Sequence, residues 1–293
     1  MWYNGFIVVI DMALHELNDA LCWRYRDALV LGAFREDICY LPLLKRVVQS
    51  PSLKHFYRTV PGGLIPFCWP GPRSEADRIF AKSIKRFQQG HTATAFVQLG
   101  RILHLLIDMS CPVHAHSVWH GNDSFEWRVE AAKSELESLA VPAVESLTKA
   151  SQAIERMAKY TRGFEPDRTS LPWGRALKRL GLRRSIQAAI IREQTRQLIP
   201  VAAGYAAALY RLFLSQTSAT KIFSLPDKTV ALRETLAALE LPYFAQENWF
   251  ADLYQFCYKH GGAKYYSDLI ELIENCRDQL ACREVKNVVA ETG

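Results

Sequence analysis

Apolar positions recur along this chain with a helical period almost throughout. Residues 92–110 (TATAFVQLGRILHLLIDMS) are apolar around most of a helix circumference, the pattern of a central, buried helix. Residues 123–161 follow an amphipathic helical pattern. Residues 185–214 form another long one, with Ser185 as N-cap and Pro200 as an expected kink. Ser74, followed by Glu75 and Asp77, marks a helix start with acids near the positive end of the dipole. Sustained alternation with period two is hard to find, so the pattern predicts an all-α, multi-helix fold.

The breaks in this pattern fall where loops can shape a site. Residues 58–74 carry four prolines and three glycines, with Phe67 and Trp69 among them, and a second irregular stretch runs from Cys111 to Gly121. A polar segment, Ser215 to Thr220, closes the long late helix. It predicts a helical domain over residues 1–215 and a C-terminal helical extension over 216–293 of unknown role. There is no internal repeat.

Composition changes the picture little. Hydrophobic residues make up 49% and charged residues 23%, which fits a soluble globular chain. A net charge of +6 suits an anionic substrate or surface, but it is too small and dispersed to argue for nucleic acid by itself. Seven cysteines without a CxxC pair exclude a zinc ribbon or a thioredoxin-like motif and read as buried free thiols. The apolar run Phe6 to Ile10 has no basic residues before it and Asp11 close behind, so no export signal is expected. No stretch approaches the roughly 20 uncharged apolar residues of a membrane span.

Position makes the histidines informative. Six of the eight lie between His55 and His120, with His15 upstream. His104 and Asp108 are four apart on the most apolar helix and so share a face. Burying both without partners would cost several kcal/mol, and a metal ion satisfies both. A hydrogen-bonded core pair does so too. Pro112 ends the helix and returns the chain, bringing His114 near Asp108; Asp123 and Glu126 follow on a common face. The spacing alone leaves metal site and core pair both open.

The segment His104-Leu-Leu-Ile-Asp108-Met-Ser-Cys-Pro112-Val-His114 has the spacing H-x3-D-x5-H. It resembles the metal-binding core of the bacterial zinc-dependent phospholipase C family and the related single-strand-specific zinc nucleases. Gly32-Ala-Phe-Arg-Glu-Asp37, His55-Phe-Tyr and Ala203-Gly204-Tyr205 resemble further segments of that family in the same order, over roughly residues 5–214. The resemblance implies a helical bundle of that type and two zinc ions. One zinc would take Asp37, His55, His104 and Asp108; the other His114, Glu126 and a ligand near Glu126. The family has His four residues before that Glu, where this chain has Asn122, so Asp123 is the expected substitute and His120 its competitor. His116 is a further candidate.

The family's third zinc uses an N-terminal Trp amine and a first-helix His. Here Met1 precedes Trp2 and the first-helix apolar pattern puts Phe6 at the His position, although Trp2 and His15 keep a suggestive spacing. His15 is therefore expected on a helix surface and the third zinc is left open. Asp37 would orient or deprotonate the attacking water. The resemblance points to a secreted or periplasmic protein.

The expected substrate is a phospholipid phosphodiester. The apolar loop with Leu64, Ile65, Phe67 and Trp69 would face lipid chains, or stack on a base. The cluster Arg175, Lys178, Arg179, Arg183 and Arg184 would meet a membrane surface or a nucleic-acid backbone. Solvated helix and packed loop explain both features equally. The alternatives are a single-strand-specific nuclease, and a non-catalytic helical scaffold with a degenerate metal site.

Overall fold

The computed structural model describes residues 3–36, 38–41, 46–49, 55–57, 71–118, 123–167, 179–180, 186–217, 230–231 and 234–235. They form an all-α fold. The helices are α1 (Tyr3–Leu17), α2 (Ala20–Arg24), α3 (Arg26–Arg35), α4 (Pro72–Gln88), α5 (Thr92–Met109), α6 (Pro112–Ala115), α7 (Ser124–Ala131), α8 (Lys133–Glu137), α9 (Ala150–Thr161) and α10 (Ala188–Thr217). The exception is an antiparallel ribbon of β1 (Ile38–Leu41) and β2 (Arg46–Gln49), which pair Ile38 with Gln49 and Leu41 with Arg46.

α5 is the axis of the bundle. Every residue of it except Thr92, Thr94 and Arg101 is buried, as its nearly continuous apolar circumference requires. It packs chiefly between α3 and α4, while α1 lies along α10. The crossing of α3 and α5 is unusually close because glycines face each other there. A Cβ on Gly100 would lie 2.1 Å from the Leu29 carbonyl oxygen, and one on Gly32 would lie 2.1 Å from that of Val97. Gly→Ala inside a helix ordinarily stabilises by about 1 kcal/mol through propensity. At Gly100 the obstacle is backbone that cannot yield locally, so overpacking of about 1–3 kcal/mol sets the sign. Gly100→Ala is expected to lower the thermal midpoint by several degrees, as followed by circular dichroism.

The ends of these helices differ from the sequence pattern in instructive ways. α4 begins at Pro72, with Gly71 as N-cap, and not at Ser74, whose hydroxyl donates to the Gly71 carbonyl. Proline at the first helical position lacks only an N–H that would have had no partner. Asp77 serves another helix: its Oδ1 accepts from the Ser151 N–H, 2.8 Å away, in the first turn of α9. The amphipathic stretch 123–161 is interrupted by non-helical chain over residues 140–147 around Pro142, which removes a helical donor. Pro142 crosses α10 at Gly204, where a Cβ would lie 2.7 Å from its carbonyl oxygen.

α10 runs on through Pro200 and ends at Thr217, beside the polar segment expected to close it. Ser185 lies outside the described residues. By length and composition α10 could cross a bilayer, but 72% of its most apolar window is buried inside the bundle, as in the core helix of a globular fold. Beyond Thr217, Glu234 accepts a hydrogen bond from the Tyr25 hydroxyl at 2.9 Å. Apart from 230–231 and 234–235, the chain beyond Thr217 lies outside the described residues.

Candidate metal centre

The local structure after α5 explains how its C-terminal end gathers donors. Pro112 cannot continue the helix, and Cys111 before it takes an extended conformation (φ −87°, ψ 122°), as residues preceding proline prefer. The single turn of α6 then folds His114 back beside α5. The segment 55–57 is clipped onto this turn by two hydrogen bonds. The Tyr57 N–H donates to the His114 carbonyl at 3.1 Å, and His114 Nδ1 donates to the His55 carbonyl at 3.0 Å.

Two groups of metal-ligating side chains result, each with all its members buried. The first is His55, His104 and Asp108; the second is Cys111, His114 and Glu126. In the first, His55 Nδ1 lies 2.7 Å from Asp108 Oδ2 and 2.9 Å from His104 Nε2, and His104 Nε2 lies 3.2 Å from the same carboxylate oxygen. His104 Nδ1 donates to the Ala33 carbonyl at 2.8 Å, near the C-terminal end of α3, which turns Nε2 towards the cluster. A hydrogen on His55 Nδ1 lies between two acceptors, whereas one cation satisfies all three atoms. Tetrahedral donors about 2.0–2.1 Å from an ion are about 3.3 Å apart, only slightly wider than the spacing here. The donor set fits a divalent ion.

In the second group His114 Nε2 lies 3.5 Å from Glu126 Oε1, and the ligand atoms of all three residues fall within 4.8 Å of one another. Asp108 joins the two groups: its Oδ1 is 3.9 Å from His114 Nε2, while its Oδ2 serves His55 and His104. Phe6 stacks on His104 with ring centroids 4.7 Å apart, and Phe56 stacks on His114 at 5.1 Å. These rings, with the apolar faces of α1 and α3, keep the centre inside the core.

Electrostatics follow from this burial. Burial alone would raise the Asp108 carboxyl, but His104 and His114 beside it hold it well below the usual carboxylate range. A carboxylate depressed in the fold contributes its stability above pH about 4 and loses it as pH falls towards the folded value. The stability of metal-free protein in denaturant melts is therefore expected to fall more steeply between pH about 5 and 3 than that of Asp108→Asn. The Cys111 thiol is pushed well above its usual range by burial and by Asp123 and Glu126, so without a metal it keeps its proton at neutral pH.

Five of the residues singled out in the sequence thus come together: His55, His104, Asp108, His114 and Glu126. Asp37 and His120 lie outside the described residues. Asp123 has another task. It is the N-cap of α7, and its Oδ1 accepts from the Phe125 and Glu126 N–H groups at 2.9 and 3.3 Å. The same oxygen accepts from the Cys111 thiol at 3.6 Å, and Asp123 belongs to neither group. His116 is partly buried and donates Nε2–H to the Phe164 carbonyl at 2.9 Å, away from both. His15 is exposed on α1 against Trp23, as expected of a helix-surface residue. Of the basic cluster only Arg179 is described, and it is exposed; the apolar loop 64–69 is not described.

Two features escaped the sequence pattern. Cys111 stands three residues from Asp108 and three from His114, a thiol inside the motif itself. Arg101, one turn before His104, donates to Glu36 at 2.6 Å and approaches Glu75 at 3.7 Å, tying the end of α3 to α5 just before Asp37. The chain matches no protein-family model, and no curated protein is similar enough in sequence to count as a relative.

Proposed function

We propose that the chain is a zinc-dependent phosphoric diester hydrolase that cleaves phospholipid in the manner of a phospholipase C. The observation that carries this reading is the divided carboxylate of Asp108, with one oxygen towards His55 and His104 and the other towards His114. Two donor sets on opposite oxygens of one side chain would hold a pair of metal ions, and such a pair serves in-line displacement at phosphorus. Imidazole donors with a nearby thiol favour zinc over magnesium or calcium. Bound zinc would bring the pKa of a water near 7 and draw charge from the phosphoryl oxygens.

The chain's own groups supply positioning. The Ala33 and His55 carbonyls hold Nδ1 of His104 and His114, so that these two rings present Nε2, while His55 presents Nδ1. Phe6 and Phe56 exclude water from one face of each ring. Asp37, carried over by resemblance, is the candidate base for the attacking water. The test is turnover by zinc-loaded protein of a choline phospholipid against single-stranded DNA. Release of the phosphorylated headgroup is expected. Cleavage of DNA alone would replace the lipid reading with the nuclease, and turnover of neither would leave a metal-holding scaffold.

A further inference from the structure

We infer that Cys111 ligates the second metal ion as a thiolate, so that this ion sits in a mixed Cys–His–Glu set. The inference rests on the metal-centre reading and is independent of hydrolase activity. Asp108 Oδ1, His114 and Glu126 offer the second ion three donors, and Asn122, one turn before Glu126 in sequence, is a poor ligand, so a four-coordinate set needs one more donor. Asp123 is the nearest carboxylate in sequence, but its Oδ1 already caps α7 through two backbone N–H groups. Cys111 has the better geometry. Its sulfur lies within 4.8 Å of the His114 and Glu126 donors, and the three residues are 0%, 6% and 6% exposed.

The sulfur is placed there by the backbone. Pro112 forces Cys111 into its extended conformation, and α6 sets His114 three residues later on the same side. His114 Nδ1–H is committed to the His55 carbonyl, so it is Nε2 that faces the Glu126 carboxylate, 3.5 Å away. A cation between Nε2, the carboxylate and the sulfur would be held by all three. Ligation replaces the S–H proton with the ion and releases that proton to buffer, with no change of oxidation state. The resulting N, O and S set takes zinc or cobalt in preference to magnesium, calcium or manganese.

Cobalt(II) is the probe, because a thiolate ligand gives it a near-ultraviolet sulfur-to-metal charge-transfer band. Metal-free parent protein titrated with cobalt is expected to bind two equivalents and to develop that band. Cys111→Ser is expected to lose the band while still binding at the His55–His104–Asp108 group, and Cys22→Ser, at the other buried free thiol among the described residues, keeps it. Cobalt bound by the parent without the band, or a band retained in Cys111→Ser, would overturn the thiolate and leave the metal centre standing. No cobalt bound at all would overturn both. Should Cys111→Ser fail to fold, zinc-edge X-ray absorption of the zinc-loaded parent decides. A sulfur shell at about 2.3 Å is expected, and a shell of nitrogen and oxygen alone at about 2.0–2.1 Å overturns the assignment.

Discussion

Asp108→Asn is expected to empty the centre while leaving the bundle folded. The amide keeps the shape of the side chain within the fully buried site but loses the charge that both donor groups share. One oxygen can still meet His55 or His104. The NH2 group cannot accept, so the contact towards one group or the other is lost. Metal content measured after dialysis should fall from two ions per chain to fewer than one. A metal supplies several kcal/mol of transition-state stabilisation, so phosphodiester turnover should fall by on the order of 10³-fold. Circular dichroism should show the same helix content in variant and parent. Equal turnover in the two proteins would sink the hydrolase reading.

Chelation is expected to be the largest perturbation of stability. His55, His104, Asp108, His114 and Glu126 are all buried, and without cations they must share a few protons among converging donors. An ion that binds only the folded chain, present at a thousand times its dissociation constant, stabilises by about 4 kcal/mol. For a chain of this size each kcal/mol moves the melting midpoint by about 2–4 °C. Removing even one ion should therefore lower the midpoint by about 8–16 °C, and adding zinc back should restore it. Calorimetry with and without chelator measures this directly. An unchanged midpoint would mean that the clusters are hydrogen-bonded core and nothing more.

Much of this centre could be read in the sequence because its decisive steps are local. His104 and Asp108 share a face by helical periodicity, and Pro112 must stop α5 wherever the rest of the chain goes. His55, 49 residues upstream of His104, has no local signal; only the order of motifs in the resemblance brought it in. Asp123 was legible in another way. Asp-Ser-Phe-Glu also reads as a helix N-cap followed by Glu at the third position, and Asp123 Oδ1 takes that capping role. Cys111 looked like one more buried thiol because a one-turn helix shows no periodicity. The ribbon of four-residue strands is likewise too short for alternation to stand out, and the capping of α9 by Asp77 depends on a tertiary contact that no local pattern encodes.

Two of the three imidazoles in the centre, His104 and His114, are held at Nδ1 by peptide carbonyls, those of Ala33 and His55. A carbonyl survives almost any substitution at its own residue. The aim of the two rings can therefore persist while neighbouring sequence drifts, provided that the glycine crossing of α3 and α5 keeps the main chains close. In evolutionary terms the ligand directions are a property of the scaffold. The identities of the donor side chains are the part free to change.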